Sequence, residues 1–194
     1  PTTQLAFDRG WPGADVAHLL DGSLYLDQSL GTVDDVELAS RIDHLAKYSA
    51  ETGAEGIIVT GSFFGEATKQ AREGLEIPVS TSFDGIIERA LGLGRPLHVV
   101  ATAPDSAMFL AAELEREGKQ RSIELSVTNG AVAGAMDGLI SGDGELHDRL
   151  VLEAVGEVDS ETAVLFAQFS MERILPASAA AHPSPVIGPA SEGV

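Results

Sequence analysis

No cysteine occurs in this chain, so disulfides, thiolate metal sites and thiol nucleophiles are excluded at the outset. Basic residues are scarce: 12 Lys and Arg stand against 30 Asp and Glu, a formal charge of -18. That field repels phosphate backbones and anionic membranes, so no nucleic-acid partner and no membrane partner is expected. An anionic small molecule would need local compensation from backbone N–H groups. The acids are spread over predicted helix faces, as a solvated surface requires, and do not form one block. Aromatic residues make up 5% of the chain, and no apolar run approaches the roughly 18 residues needed to cross a bilayer. No charged and then apolar leader precedes a small-residue cleavage site, so a soluble cytoplasmic protein is expected.

What is present is enough apolar residue, 44% of 194, to fill one large domain or two modest lobes. Strand and helix patterns alternate, which predicts a mainly parallel sheet covered by helices. Strands are expected at Asp15 to Leu19, Gly56 to Thr60, Ile77 to Ser80, Leu97 to Thr102, Ser122 to Val127, Ala163 to Gln168 and Pro185 to Ile187. Helices are expected at Gln4 to Arg9, Asp34 to Glu51, from Pro104 towards Gly118, and Gly144 to Val155.

One segment occurs twice. Gly56-Ile57-Ile58-Val59-Thr60-Gly61-Ser62-Phe63-Phe64 runs on to Ile77-Pro78-Val79, and Ala163-Val164-Leu165-Phe166-Ala167-Gln168-Phe169-Ser170-Met171 runs on to Ser184-Pro185-Val186. Pro78 follows Gly61 at the same spacing as Pro185 follows Gln168. The repeat predicts two related lobes, with Gly61 and Gln168 at matching strand ends across one cleft. Gly92, Gly94 and Pro96 punctuate the chain between the two series, giving lobes at 1–92 and 93–183 and a return segment at 184–194 towards the first lobe. The repeat also suggests that an opening strand and a closing helix belong to the protein but lie outside this sequence.

The five histidines, His18, His44, His98, His147 and His182, lack the close spacing of a metal motif. No metal is expected. His98 reads as a satisfied core residue and His147 with Asp148 as a surface pair. There is no GxSxG elbow, GxGxxG fingerprint or GxxxxGK[ST] loop, so neither a serine hydrolase nor a nucleotide cofactor has support.

The residues 53–62, the strand Leu97 to Thr102 and the strand Ala163 to Gln168 make the chain resemble the aspartate/glutamate racemase superfamily, which includes hydantoin racemases, maleate isomerases and arylmalonate decarboxylases. The resemblance implies an α/β fold of two pseudo-symmetric flavodoxin-like lobes with mainly parallel sheets and an interlobe cleft. It also implies a cofactor-independent enzyme whose partner is a small carboxylate ligand, and it leaves room for a homo-oligomer. In racemizing members a cysteine on each lobe carries the proton. The catalytic positions that match are Gly61 and Gln168, and neither glycine nor a carboxamide can act as that base, so two-cysteine racemization is excluded for this sequence. Arylmalonate decarboxylases share the glycine but keep a cysteine at the second position.

What survives is the machinery for holding an anion. Each tip leads into a helix, so N–H groups of Ser62, Phe63 and Phe64, and of Phe169, Ser170 and Met171, are candidate donors to a carboxylate or enediolate. Ser62, Ser170 and Thr102 offer hydroxyls, with helix capping as the alternative role. Phe63 reads as packing or substrate platform, and Gln168 as bonded to backbone or substrate. Glu66 and Glu172 read as acid/base candidates or exposed carboxylates. Three functions stay open: an enzyme using non-thiol proton chemistry, a silent carboxylate-binding protein, and a racemase or decarboxylase scaffold inactivated by substitution.

Overall fold

The computed structural model describes residues 2–193. Contacts divide the chain into two units, one of Pro1–Pro12 with Phe83–Val194 and the other of Gly13–Ser82.

In the 13–82 unit, helix α2 (Leu24–Leu30) precedes α3 (Asp35–Glu51), which Asp34 caps by accepting from the Glu37 N–H at 2.8 Å. Strand β1 (Ile57–Ile58) then leads through a 3-10 turn at Ser62–Phe64 into α4 (Gly65–Glu73) and β2 (Val79–Ser80). The two strands pair in parallel, Ile57 with Val79 and Ile58 with Ser80. Leu38, Ile42 and Ala46 recur at helical spacing and put one face of α3 into a small core with Leu24, Phe64, Ala67 and Ala71. Arg41 ties α3 to α2 and to the turn before it through 2.6 Å bonds to Asp27 and Asp21.

The larger unit carries α1 (Thr2–Gly10), α5 (Asp84–Leu91), β3 (Leu97–Ala101), α6 (Pro104–Gln120), β4 (Val127–Ala131), α7 (Ala135–Ile140), α8 (Gly144–Gly156), β5 (Ala163–Phe166), a 3-10 turn at Phe169–Ile174, α9 (Leu175–Ala181), β6 (Val186–Ile187) and α10 (Pro189–Glu192). Its four-stranded sheet is parallel throughout, in the order β4-β3-β5-β6. Continuous apolar runs bury both faces of its centre. Val99 and Leu165 meet α5 and α6 on one side, while Val100, Val164 and Phe166 meet Val151, Val155, Met171 and Ile174 on the other. The fold class is the expected α/β arrangement of parallel sheets. Helix α5, inside the first expected lobe of 1–92, packs on α6 and α10 and therefore groups with the larger unit.

Two strand expectations need correction. Asp15 to Leu19 forms no strand, because it has no ladder partner, and Leu19 and Leu20 stay exposed. The strand expected at Ser122 to Val127 begins only at Val127. The preceding residues close α6: Ser122 takes a left-handed φ of 57°, its N–H reaches Lys119 O, and the Ile123 N–H reaches Gly118 O at 2.8 Å. Helix α6 also runs through Gly118 to Gln120, since the Gly118 Cα lies against Leu125 where a Cβ would collide. Among the described residues no helix is long and apolar enough to cross a membrane.

Candidate functional site

The turn at Gln168 follows a strand whose four residues are all buried. Extended backbone at Gln168, φ -139° and ψ 139°, then breaks into the 3-10 turn. The Gln168 side chain reaches across to the end of β3, where its Oε1 accepts from the Thr102 N–H at 2.6 Å and from Thr102 Oγ1 at 2.9 Å. Of the two openings left by the sequence, the amide oxygen has taken the backbone. Two consequences follow. The Nε2 group, two donors with no acceptor capacity, has no protein partner among the described residues. Thr102, buried at 6% exposure, has both donors engaged by Gln168, while Ala103 takes the N-cap place of α6.

Within the same turn the expected N–H donors separate. The Met171 N–H closes the 3-10 turn on Gln168 O at 3.1 Å, so it is not open to a ligand. Phe169 and Ser170 precede the first closed ring, and both are half-buried. The neighbouring Glu172 is not the free carboxylate that was expected. Its Oε1 accepts from the N–H groups of Ala190 and Ser191 at 2.7 and 3.0 Å and from Ser191 Oγ at 3.2 Å, capping α10. Gly188 permits this approach, since a Cβ there would come within 2.3 Å of Glu172 Oε1.

In the 13–82 unit the Gly61 turn repeats the backbone plan with different filling. The Phe64 N–H closes it on Gly61 O at 3.0 Å, which removes that donor too. A Cβ on Gly61 would meet Phe64 Cδ2 at 2.2 Å and Cε2 at 2.5 Å. The backbone at Gly61, φ -101° and ψ 117°, suits any residue, so the ring and not the dihedral demands glycine. Phe63 stacks at a tilt on Tyr25, with ring centroids 5.7 Å apart, and packs against the small core. Ser62 lies half-buried at the start of the turn.

The histidines divide by environment. His182 donates from Nε2 to Thr162 O at 2.9 Å, a structural bond. His147 does pair with Asp148 at 2.8 Å, but its ring is fully buried, so the expected surface pair is a core residue with a half-buried partner. Its position explains the difference: His147, Val151 and Val155 form the buried stripe of α8. His98 is half-buried, and desolvation holds its pKa below the ordinary imidazole value. Among the described residues no cluster of His, Asp or Glu could hold a metal ion.

The Gln168–Thr102 tether and the Glu172 cap were not anticipated. Each joins residues far apart in sequence, and only the shared strand ends of a parallel sheet carry a hint of them. The model of the Asp/Glu/hydantoin racemase family matches residues 16–194. Among solved structures the chain is similar to the glutamate racemase isoform RacE1 from Bacillus anthracis (TM-score 0.71, 15% identity, 98% of this chain and 73% of that one). It is also similar to unliganded arylmalonate decarboxylase (0.58, 16%, 96% and 81%) and to allantoin racemase from Klebsiella pneumoniae (0.57, 18%, 80% and 62%). The chain thus spans less than two thirds of that allantoin racemase, and at these identities the likeness is one of fold. No curated protein matches the chain by sequence.

Proposed function

Since this chain belongs to the Asp/Glu/hydantoin racemase family, we propose that the Gln168 turn anchors a small carboxylate in a cofactor-independent site whose proton chemistry uses no thiol. The observation that carries this reading is the tether from Thr102. With its oxygen fixed by two donors, the carboxamide can offer a substrate only N–H, and such a donor suits a carboxylate or a developing enediolate. Phe169 and Ser170 add N–H groups at the same turn, and Ser170 adds a hydroxyl. Gly61, Ser62 and Phe63 are the corresponding candidates in the other unit. A hydroxyl or a bound water would move the proton.

A second reading, a carboxylate-binding protein without turnover, is favoured by one observation. Glu172, the carboxylate nearest in sequence to the Gln168 turn, already accepts three hydrogen bonds from the end of the chain and is poorly placed to act as a base. The third reading, a thiol enzyme disabled at one tip, fits less well, because the Phe64 ring fills the space a cysteine at Gly61 would need.

Thermal-shift titration with malonate, phenylmalonate, aspartate and hydantoin tests the site. Stabilisation by a carboxylate that falls about tenfold in affinity in Gln168→Ala is the expected result. Deuterium exchange at the α-carbon of any hit then separates enzyme from binder. Hits that bind Gln168→Ala as well as the parent would remove the turn from the site.

A further inference from the structure

The sheet edge holds a second candidate, independent of the Gln168 turn. Strand β4 is one of the two edge strands of the four-stranded sheet, and its register sets Thr128 beside His98 and Gly130 beside Val100. Alternation along β3 turns His98 and Val100 to the same face, the one that packs α8. Over this face lies an open groove of about 420 Å³, walled by Val100, Val132 and Val158 and bordered by the acidic residues Glu157 and Asp159.

Hydrogen bonding determines what the groove can offer. The arrangement that satisfies both contacts has Thr128 Oγ1 donating to Leu97 O at 3.4 Å and accepting from His98 Nδ1 at 2.7 Å; it assigns the ring proton to Nδ1 and makes Nε2 an acceptor. At Gly130, where a side chain would begin, a Cβ would lie 3.6 Å from that nitrogen, so the glycine leaves it uncovered on that side. Burial lowers the pKa of the ring, which keeps it neutral and able to accept. Donors are scarce along the wall. The N–H groups of Val132, Glu157, Val158 and Thr162 are bonded to Ala101, Ala154, Val155 and Asp159, and no Lys or Arg lines the groove. Acceptors of this kind suggest a metal first, yet among the described residues no three His, Asp or Glu side chains come together to hold one.

We propose that this groove binds a small organic cation, a primary ammonium on a short aliphatic body, with the ammonium donating to His98 Nε2 under the field of Glu157 and Asp159. The alkyl chain lies along Val100, Val132 and Val158, and the absent side chain at Gly130 is what admits the head group. A metal ion would need converging ligands; an alkylammonium needs one good acceptor, nearby negative charge and an apolar wall.

Amide-resolved NMR titration with pentylamine hydrochloride, against 1-pentanol at matched ionic strength, tests this. Saturable shifts confined to Thr128, Gly130 and Val132 are expected, with 1-pentanol weaker by about tenfold. His98→Phe, which removes the acceptor, weakens pentylamine by a similar factor, and His98→Gln, which keeps one, restores most of it. Gly130→Ala meets only ordinary contact at Nε2 and folds, so it carries the test if His98→Phe does not; it too weakens the amine. Equal binding of 1-pentanol, unsaturable shifts spread over the acidic surface, or unchanged affinity in Gly130→Ala would overturn the proposal.

Discussion

The Gly61 and Gln168 turns are built alike and filled differently. Each follows a parallel strand, each opens with a 3-10 turn, and the flanking strands pair in corresponding register, Ile57 with Val79 and Val164 with Val186. At Gly61, however, the side-chain position is taken by the ring of Phe64 three residues on. At Gln168 it holds an amide secured by Thr102 from the neighbouring strand. The supporting strands differ as well: β1 of the 13–82 unit is half-buried in a two-stranded sheet, whereas β5 lies fully buried inside a four-stranded one. A repeated backbone therefore fixes where a functional group can stand, while its neighbours decide whether one can stand there.

The comparison breaks most sharply at Gly61. Gly61→Cys pushes a Cβ into the Phe64 ring and should cost about 3 kcal/mol, read as a lower urea midpoint, with Phe64→Leu in the same chain restoring most of it. An unshifted midpoint in the single variant would show that the ring yields freely. At the other turn Gln168→Met keeps the length but leaves the buried Thr102 N–H without an acceptor. A loss of about 1.5 kcal/mol by the same measurement is expected, and none if water replaces the amide.

Glu172→Ala sharpens the contrast, because the matching position after Gly61 is Gly65, which has no side chain to make such a cap. About 1 kcal/mol should be lost, with faster amide exchange at Ala190 and Ser191. The smallest effect belongs to the 13–82 unit. Hydrogen bonds from Arg41 first, and then from Ser23, hold the Asp21 carboxyl below the usual range. Its contribution is thus present above the ordinary aspartate pKa and is lost as pH falls through the lowered folded value. Unfolding midpoints of Arg41→Gln and the parent should converge on acidification; a gap independent of pH would assign the Arg41 effect to packing alone.

Strong local patterns were legible in advance. The helix expected at Asp34 to Glu51 and the apolar runs of β3 and β5 read correctly because periodicity and burial are written in neighbouring residues. Ser122 misled, since an apolar stretch after a long helix looks like a strand until the helix closes through a left-handed residue. His147 misled because its acidic neighbour suggested solvent, while its register on α8 put the ring inside.

Composition and spacing alone determined that no sulfur can carry a proton here, that the sheets are parallel, and that two tips recur at matching strand ends, because these follow from residue type and period. Only the tertiary structure decided what each tip can do. Phe64 over Gly61, Thr102 on Gln168 and the end of the chain on Glu172 are contacts between side chains and partners that no local pattern encodes, and they set which donors remain for a ligand.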